Sequence, residues 1–214
     1  MIALGTMSHA EPYLAEPDHA VADAALDTIF RNGRTLRKWQ DKPVSPALLM
    51  AIYDLARLGP TETNITPARF HFVVSKAAKA RLEPLLDEGN RAQTMGAPAT
   101  AIVAYDLDFA RTLPKLAPRA AESLSKSLAE NPAKAELMAT RSAGLQGGYF
   151  MVAARALGLD CGPMSGFDRE GVDNEFFAGT QIKSYFLCNL GYGDREGLRP
   201  RAARLSFDEA CKIL

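Results

Sequence analysis

The sequence predicts an α+β fold, and three observations predict it. Helical periodicities outnumber strand-like runs. The strand-like runs are short, and strands and helices do not alternate regularly as a doubly wound parallel sheet requires. With 214 residues, 47% of them hydrophobic and 23% charged, the chain suits one domain with a sizeable core.

The elements follow in order. Residues 1–20 mix proline, alanine and acidic side chains without a period, so they read as a flexible lead to a single domain over 21–214. VADAALDTIFRN keeps Val21, Ala24, Ala25 and Ile29 near one helical face and stops at Asn32-Gly33. A basic connector leads to Ser45-Pro46, an N-cap and first-turn pair, and Leu48, Leu49, Ile52, Tyr53 and Leu55 hold the helical period to Gly59-Pro60. Residues 59–68 carry two prolines and form a structured turn. The aromatic and β-branched run at 68–75 is a strand, Ser75 caps a helix to about Asp87, and ATAIVAYD at 99–106 is a second strand.

Residues 106–131, with Pro114 and Pro118, suit a lid or a partly helical excursion. Asn131-Pro132 opens the longest helix, which runs to Gly158. Its glycines at 144, 147 and 148 ask for close packing, either within the subunit or across a subunit boundary. GLDCGPMSGFD at 158–168 reads as a Gly-Pro turn, followed by a short acidic helix and the strand IKSYFLCNLGY. Ser206 and Glu209 are spaced as a capping box for a final helix.

Composition excludes several functions. Lys plus Arg and Asp plus Glu both count 25, so no net field draws the chain to nucleic acid or to an anionic membrane. No apolar run approaches the roughly 20 residues that span a bilayer. Cys161, Cys188 and Cys211 are too few and too scattered for a disulfide framework or a zinc knuckle and suit the reducing cytoplasm. Of three histidines only His71 lies inside the expected domain, which leaves little material for a Ser-His-Asp triad or a catalytic zinc. An enzyme of this composition therefore relies on a cofactor.

GYGDREG at 191–197 follows a strand but is not a dinucleotide fingerprint: its third glycine place is Glu196, and too little chain remains for the second strand. Basic residues gather instead at Arg31, Arg34, Arg37 and Lys38, and again at Arg199, Arg201 and Arg204. Together with the Thr35 hydroxyl, fork-shaped donors from both clusters would make a phosphate cradle if the fold joins them.

Five segments in order resemble the FMN-dependent nitroreductases. GRTLRKWQDKPVS at 33–45 is similar to that family's R-S-x-R-x-F segment. GPTETNITPARFHFVV at 59–74 is similar to its P-S-x-x-N-x-Q-P-W stretch and following strand. Gly89-Asn90 precedes the second strand where the family has a flavin-binding Asn, and LGLDCGPMSGFD and LGYGD resemble two further segments. Gly33, Thr66, Ala68 and Ala202 depart from the pattern, and TPAR with GPMSGFD looks most like the malonic semialdehyde reductase branch of pyrimidine degradation.

The resemblance implies a central, mostly antiparallel sheet surrounded by helices, in an intertwined homodimer with FMN between subunits. It implies hydride transfer from NADPH or NADH through flavin N5, with no protein side chain as the chemical catalyst. Arg34, Thr35, Arg37 and either Arg201 or Arg204 would hold the phosphate and the electron-rich ring edge. Pro60, Thr61, Glu62, Asn64 and Asn90 would line the ring and ribityl chain, with Pro163, Met164, Ser165 and Gly166 at N5. The implied acceptor is malonic semialdehyde, with nitroaromatics or quinones second and a flavin-binding module without turnover as the other class. A carboxylate substrate needs a cation, for which Arg69, Lys115 and Arg119 are the candidates.

Overall fold

A computed structural model describes residues 20–214, and the expected lead over residues 1–20 lies outside the described residues but for Ala20. Among the described residues four strands form one sheet: β1 (Ala68–Val73), β2 (Ala99–Asp106), β3 (Asp160–Met164) and β4 (Ile182–Gly191). Their order is β1-β2-β4-β3 and every neighbouring pair is antiparallel. The α+β expectation holds.

β2 is buried along its whole length because both of its faces are covered. Ala99, Ala101 and Val103 point to one layer while Ile102 and Ala104 point to the other, the two-residue alternation of a pleated strand. On the first face lie α2 (Pro46–Ala56) and α7 (Pro132–Ala156), which contribute Leu49, Ile52, Ala56, Phe150, Ala153 and Ala154. On the second lie α3 (Lys76–Leu82) and α8 (Arg169–Phe176), with Leu82, Phe167, Val172 and Phe177. Burying a side chain such as Ile52 or Phe150 completely contributes about 1.5–3 kcal/mol.

Local chemistry sets several boundaries. Ser45 Oγ accepts from Leu48 N at 3.2 Å, Asn131 Oδ1 accepts from Lys134 N at 3.0 Å, and Pro46 and Pro132 occupy the first helical positions. Ser206 and Glu209 form the expected capping box at the start of α9 (Phe207–Ala210). The first helix, α1 (Asp23–Leu26), continues into a π-type turn over Asp27–Arg31 and ends at Asn32 as expected.

Two expectations are corrected, and a third is narrowed to one of its alternatives. The turn expected at 158–168 contains β3, an edge strand that tolerates Pro163 because a proline lacks only the donor that an outer edge leaves unused. The helix expected from Ser75 to about Asp87 stops at Leu82, continues as a 3₁₀ turn over Glu83–Leu85, and is followed by α4 (Glu88–Met95), which the sequence reading lacked. The stretch 106–131 takes the partly helical form: a 3₁₀ turn at Phe109–Thr112, α5 (Leu113–Leu116) and α6 (Ala121–Glu130). Phe109, Leu113 and Leu128 anchor it in the core.

The three glycines of α7 separate. A Cβ at Gly147 would sit 2.8 Å from the Phe186 ring, so helix and sheet meet there within one subunit. Gly144 faces Tyr185 at ordinary contact distance, and a Cβ at Gly148 would meet nothing.

Candidate functional site

The residues singled out from sequence fall into two groups, one running from the connector to the end of β3 and one at the Asp106 end of β2. The first is built on the connector after α1. Thr35 forms a parallel bridge with Cys161, and Leu36 N donates to Cys161 O at 3.0 Å, which lays the connector along the outer edge of β3. Gly162 permits that approach, since a Cβ there would lie 2.6 Å from Leu36 O. Buried Leu36 pins the segment, while Thr35, Arg37 and Lys38 stay exposed and Arg34 is half-buried. Beside them opens a cleft of about 390 Å³ lined by Thr35, Arg37, Lys38, Asp194, Glu196 and Arg199, among others.

The two basic clusters do meet here, through a set of arginines that serve the backbone. Ile29 O accepts from Arg155 at 3.3 Å, Asn32 O from Arg195 at 3.1 Å, and Arg31 O and Gly33 O both from Arg201 Nη2 at 2.7 Å. These carbonyls end the first helix, where cations complement the exposed acceptors and the helix dipole. Gly33, a departure from the family pattern, is explained by the same crowding: a Cβ would lie 3.0 Å from the Arg155 guanidinium. Arg34 donates to Arg199 O at 2.6 Å, and Arg37 has no hydrogen-bond or ion-pair partner among the described residues. Arg204 is exposed and donates only to Ala202 O and Ala203 O, so this subunit alone does not bring it to Arg34.

The same group extends to α4 and to the end of β3. Trp39 Nε1 donates to Gln93 O at 2.9 Å, tying the connector to α4. From the first turn of that helix, Asn90 Nδ2 donates to Gly166 O at 2.8 Å while its Oδ1 accepts from Gln93. Asp87 N also donates to Gly166 O, and a Cβ at 166 would strike both Asn90 Nδ2 and Asp87 Oδ2. Pro163 and Met164 end β3. The N–H groups of Ser165 and Gly166 make no hydrogen bond among the described residues, so two backbone donors are available next to the cationic connector.

The second group lies at the other end. Pro67 O accepts from Asp106 N at 3.0 Å, so residues 60–67 lead into β1 beside the last residue of β2. The connector sits near the Ala99–Leu190 pairing, seven strand residues at about 3.3 Å each, roughly 23 Å, along the sheet from Asp106, while Met164 at the end of β3 pairs with Leu187 opposite Ile102, between the two. Thr63, Asn64 and Thr66 have φ of 50°, 55° and 37°, three left-handed residues within four positions and two of them β-branched. Such backbone costs about 1–3 kcal/mol per residue and persists only where the surroundings impose it. Here Glu62 N donates to Ser142 Oγ, Thr66 N to Thr61 Oγ1 and Asn64 Nδ2 to Leu116 O at 2.8 Å. No sequence signal announced this strain, since threonine is not a residue of left-handed turns.

Of the three candidate substrate cations, Arg69 is engaged. Its guanidinium reaches Thr66 O, Ala68 O and the buried Asp106 carboxylate at 2.7 Å, and Arg111 shares that carboxylate at 2.9 Å. Lys115 and Arg119 are exposed, flank the segment whose Leu116 carbonyl Asn64 holds, and have no polar partner among the described residues.

Comparison with known proteins gives the family and the fold. The sequence profile of the nitroreductase family matches residues 31–192. A Stenotrophomonas maltophilia protein provisionally named NADH dehydrogenase/NAD(P)H nitroreductase is 56% identical over 196 residues, covering 91% of this chain and 98% of that protein. A Leptothrix cholodnii protein with the same provisional name is 50% identical over 92% of this chain and 99% of its own length. Among solved structures, a provisionally named nitroreductase of Exiguobacterium sibiricum in complex with FMN superposes with a TM-score of 0.78 at 21% identity, covering 88% of this chain and 96% of that one. A Bacillus subtilis counterpart gives the same TM-score and identity over 90% of this chain and all of its own. No helix among the described residues is long and apolar enough to cross a membrane.

Proposed function

The chain belongs to the nitroreductase family, and from that premise we propose that it is an NAD(P)H-dependent FMN oxidoreductase whose acceptor is a small acid-aldehyde, malonic semialdehyde, reduced to 3-hydroxypropionate. The observation that carries the cofactor assignment is the first group: cationic side chains and a hydroxyl beside two unengaged backbone N–H groups along one strand edge. That donor set fits a flavin mononucleotide, which presents a dianionic phosphate at one end and hydrogen-bond acceptors at the ring edge.

Bound FMN supplies two-electron hydride transfer between a nicotinamide and the acceptor. The protein's part is orientation and charge. Arg34, Thr35 and Arg37 would hold the phosphate, joined by Arg204, whose bonds are only to neighbouring carbonyls of its own segment, whereas Arg201 is tied to the connector through Arg31 O and Gly33 O. Asn90 fixes the turn through Gly166 O, and the Ser165 and Gly166 N–H groups, beside Pro163 and Met164, would be the donors to the ring edge. Pro60, Thr61, Glu62 and Asn64 lie at the Asp106 end of β2, about a sheet length from the connector in the same subunit, and would reach this site from a second copy. A homodimer that sets the strained loop of one subunit over the connector of its partner completes it. The exposed Leu137, Leu145 and Tyr149 on α7 and Met50, Tyr53 and Leu58 nearby provide apolar surface for that association.

A small acid-aldehyde has few atoms to bind, so its carboxylate needs a cation. Lys115 or Arg119, beside the strained loop, supplies it, with Arg69 set aside as the partner of Asp106. The free buried thiols Cys161 and Cys188 suit a reducing cytoplasm. A broad-acceptor nitro or quinone reductase is the second reading, favoured by the provisional names of the relatives.

Anaerobic mixing with NADPH and with NADH tests the assignment. Bleaching of bound flavin by either donor supports the enzyme, and its absence with both indicates a binding module without turnover. Turnover of nitroaromatics or quinones without malonic semialdehyde would replace the first acceptor by the second. Light scattering that gave an FMN-loaded monomer would remove the two-subunit site.

A further inference from the structure

Behind the turn that faces the proposed flavin runs a buried polar circuit made of none of the cradle's own residues except Met164. It begins at Lys79 on α3, 5% exposed, whose ammonium donates to Thr94 O at 2.7 Å and to Thr100 Oγ1 at 2.6 Å. Thr100 donates to Asn189 Oδ1 at 2.7 Å, Asn189 Nδ2 donates to Thr94 Oγ1 at 3.1 Å, and Thr94 Oγ1 donates to Met164 Sδ at 3.5 Å. Thr94, Thr100 and Asn189 are also buried. The circuit thus joins the last turn of α4, the start of β2 and the end of β4 to Met164, the last residue of β3.

We propose that Lys79 is a positioning residue for FMN binding: as an ammonium it fixes the direction of this circuit and so holds Met164 and the turn through Gly166 in the flavin-facing arrangement. The inference rests on the flavin reading above. Its logic is donor arithmetic. An ammonium has three donors and no acceptor, so Thr100 must accept from it and give its own proton to Asn189. That leaves the Asn189 amide nitrogen for Thr94, whose proton is then committed to Met164. A neutral amine can accept instead. Thr100 is then free to turn toward Lys79, Asn189 Oδ1 loses its donor, and the bond from Thr94 to Met164 is no longer imposed. The ammonium also lies against the carbonyl end of α4, whose first turn carries Asn90 and its bond to Gly166 O.

Burial lowers the Lys79 pKa to about 8, so the change from ammonium to amine falls within reach of ordinary buffers. The groups that face it from α4, β2 and β4 are the uncharged Thr94, Thr100 and Asn189. Other charged side chains on these elements point elsewhere: Glu88 and Arg91 on α4 are exposed, and Asp106 and Lys183 occupy the far ends of β2 and β4. On α3 itself Lys76 and Arg81 are exposed. On β1 Arg69 binds Asp106, and His71 packs on Phe177.

The test is FMN affinity, read by flavin fluorescence, from about pH 6.5 to about pH 9.5, a range that brackets the titration. Wild-type affinity should fall by about tenfold through a midpoint near pH 8, the loss of one imposed hydrogen-bond arrangement. Lys79→Met should bind more weakly at low pH and show no such step. Thr94→Val keeps the ammonium but cuts the link to Met164, and it too should be flat, which preserves the test if Lys79→Met fails to fold. A step that persists unchanged in both variants, or a wild type that is flat, overturns the proposal.

A second readout needs no flavin. The folded chain releases the Lys79 proton near pH 8 and the unfolded chain only near the ordinary lysine value of 10.5. Between those values the unfolded state binds more protons, so the melting temperature of flavin-free wild type should rise relative to Lys79→Met as pH increases through the window. With that difference present, a wild type that binds FMN but shows no affinity step sinks the positioning role alone, whereas one that binds no FMN at any pH sinks the flavin reading as well.

Discussion

The two ends of the sheet are stabilised in opposite ways. At the connector end side chains hold the backbone in place: three guanidinium groups serve the carbonyls of Ile29, Arg31, Asn32 and Gly33, a glycine admits Leu36 to the edge of β3, and Asn90 and Asp87 both hold Gly166 O. At the loop end three residues are held left-handed against their preference, and two exposed cations have no polar partner among the described residues. On the proposed function, the first end is preorganised for a ligand present through every turnover. The second stores backbone strain, as expected of a surface that completes itself only against a partner or a substrate.

Several substitutions would break or sharpen that contrast. Arg34→Ala should cost about 1.5–3 kcal/mol of FMN binding, a loss of roughly tenfold to over a hundredfold, because a charge-assisted phosphate contact goes and Arg199 O loses its donor. Arg201→Ala should weaken FMN less and lower the melting temperature more, since its bonds are to Arg31 O and Gly33 O; equal FMN loss in Arg201→Ala and Arg204→Ala would show that the division between them is wrong.

At the other end, Lys115→Ala or Arg119→Ala should remove most turnover of malonic semialdehyde while FMN retention and reduction of a neutral quinone stay nearly unchanged. Steady-state assays with both acceptors decide it, and parallel loss of both activities would place the effect on flavin instead.

Smaller effects should separate the glycines. Gly162→Ala forces Leu36 away from β3 and should cost about 1–3 kcal/mol, read as a melting temperature several degrees lower. Gly148→Ala meets nothing in this subunit and should add up to about 1 kcal/mol to helix stability. Loss of dimer in that variant, by light scattering, would instead locate the subunit contact over α7. The smallest change is Thr63→Gly. It should raise thermal stability by about 1 kcal/mol or less, because relief of strain is partly offset by glycine's greater freedom in the unfolded chain. Its kcat should fall if the loop geometry matters.

What the sequence made legible was local chemistry. Ser45-Pro46, Asn131-Pro132 and the Ser206–Glu209 pair declare helix starts through bonds made within three residues, and each is found as expected. β3 was not legible, because Asp-Cys-Gly-Pro-Met has no strand period and becomes extended only by pairing with β4. α4 was missed for a related reason: Glu-Gly-Asn-Arg-Ala-Gln-Thr-Met lacks an apolar stripe and is held by Trp39, Lys79 and Asn90, residues distant from one another in sequence or function. Likewise, Lys79 reads as one more surface lysine in KAAKARL until its burial is seen. For the site, the motifs pointed to both groups, but the separation along β2 is a property of strand order that no local pattern carries.

Pro163 has a further consequence. Beyond Cys161 the outer side of β3 runs without a neighbouring strand among the described residues, and an unclaimed strand edge invites extension by another polypeptide. With a proline at 163 the edge presents one fewer donor at its middle. Two residues later the chain bends away under the hold of Asn90 and Asp87, which leaves too short a straight run for a foreign strand to register against. The protein can therefore keep backbone donors open to a small planar molecule throughout its life in a crowded cell without offering them as a seed for aggregation.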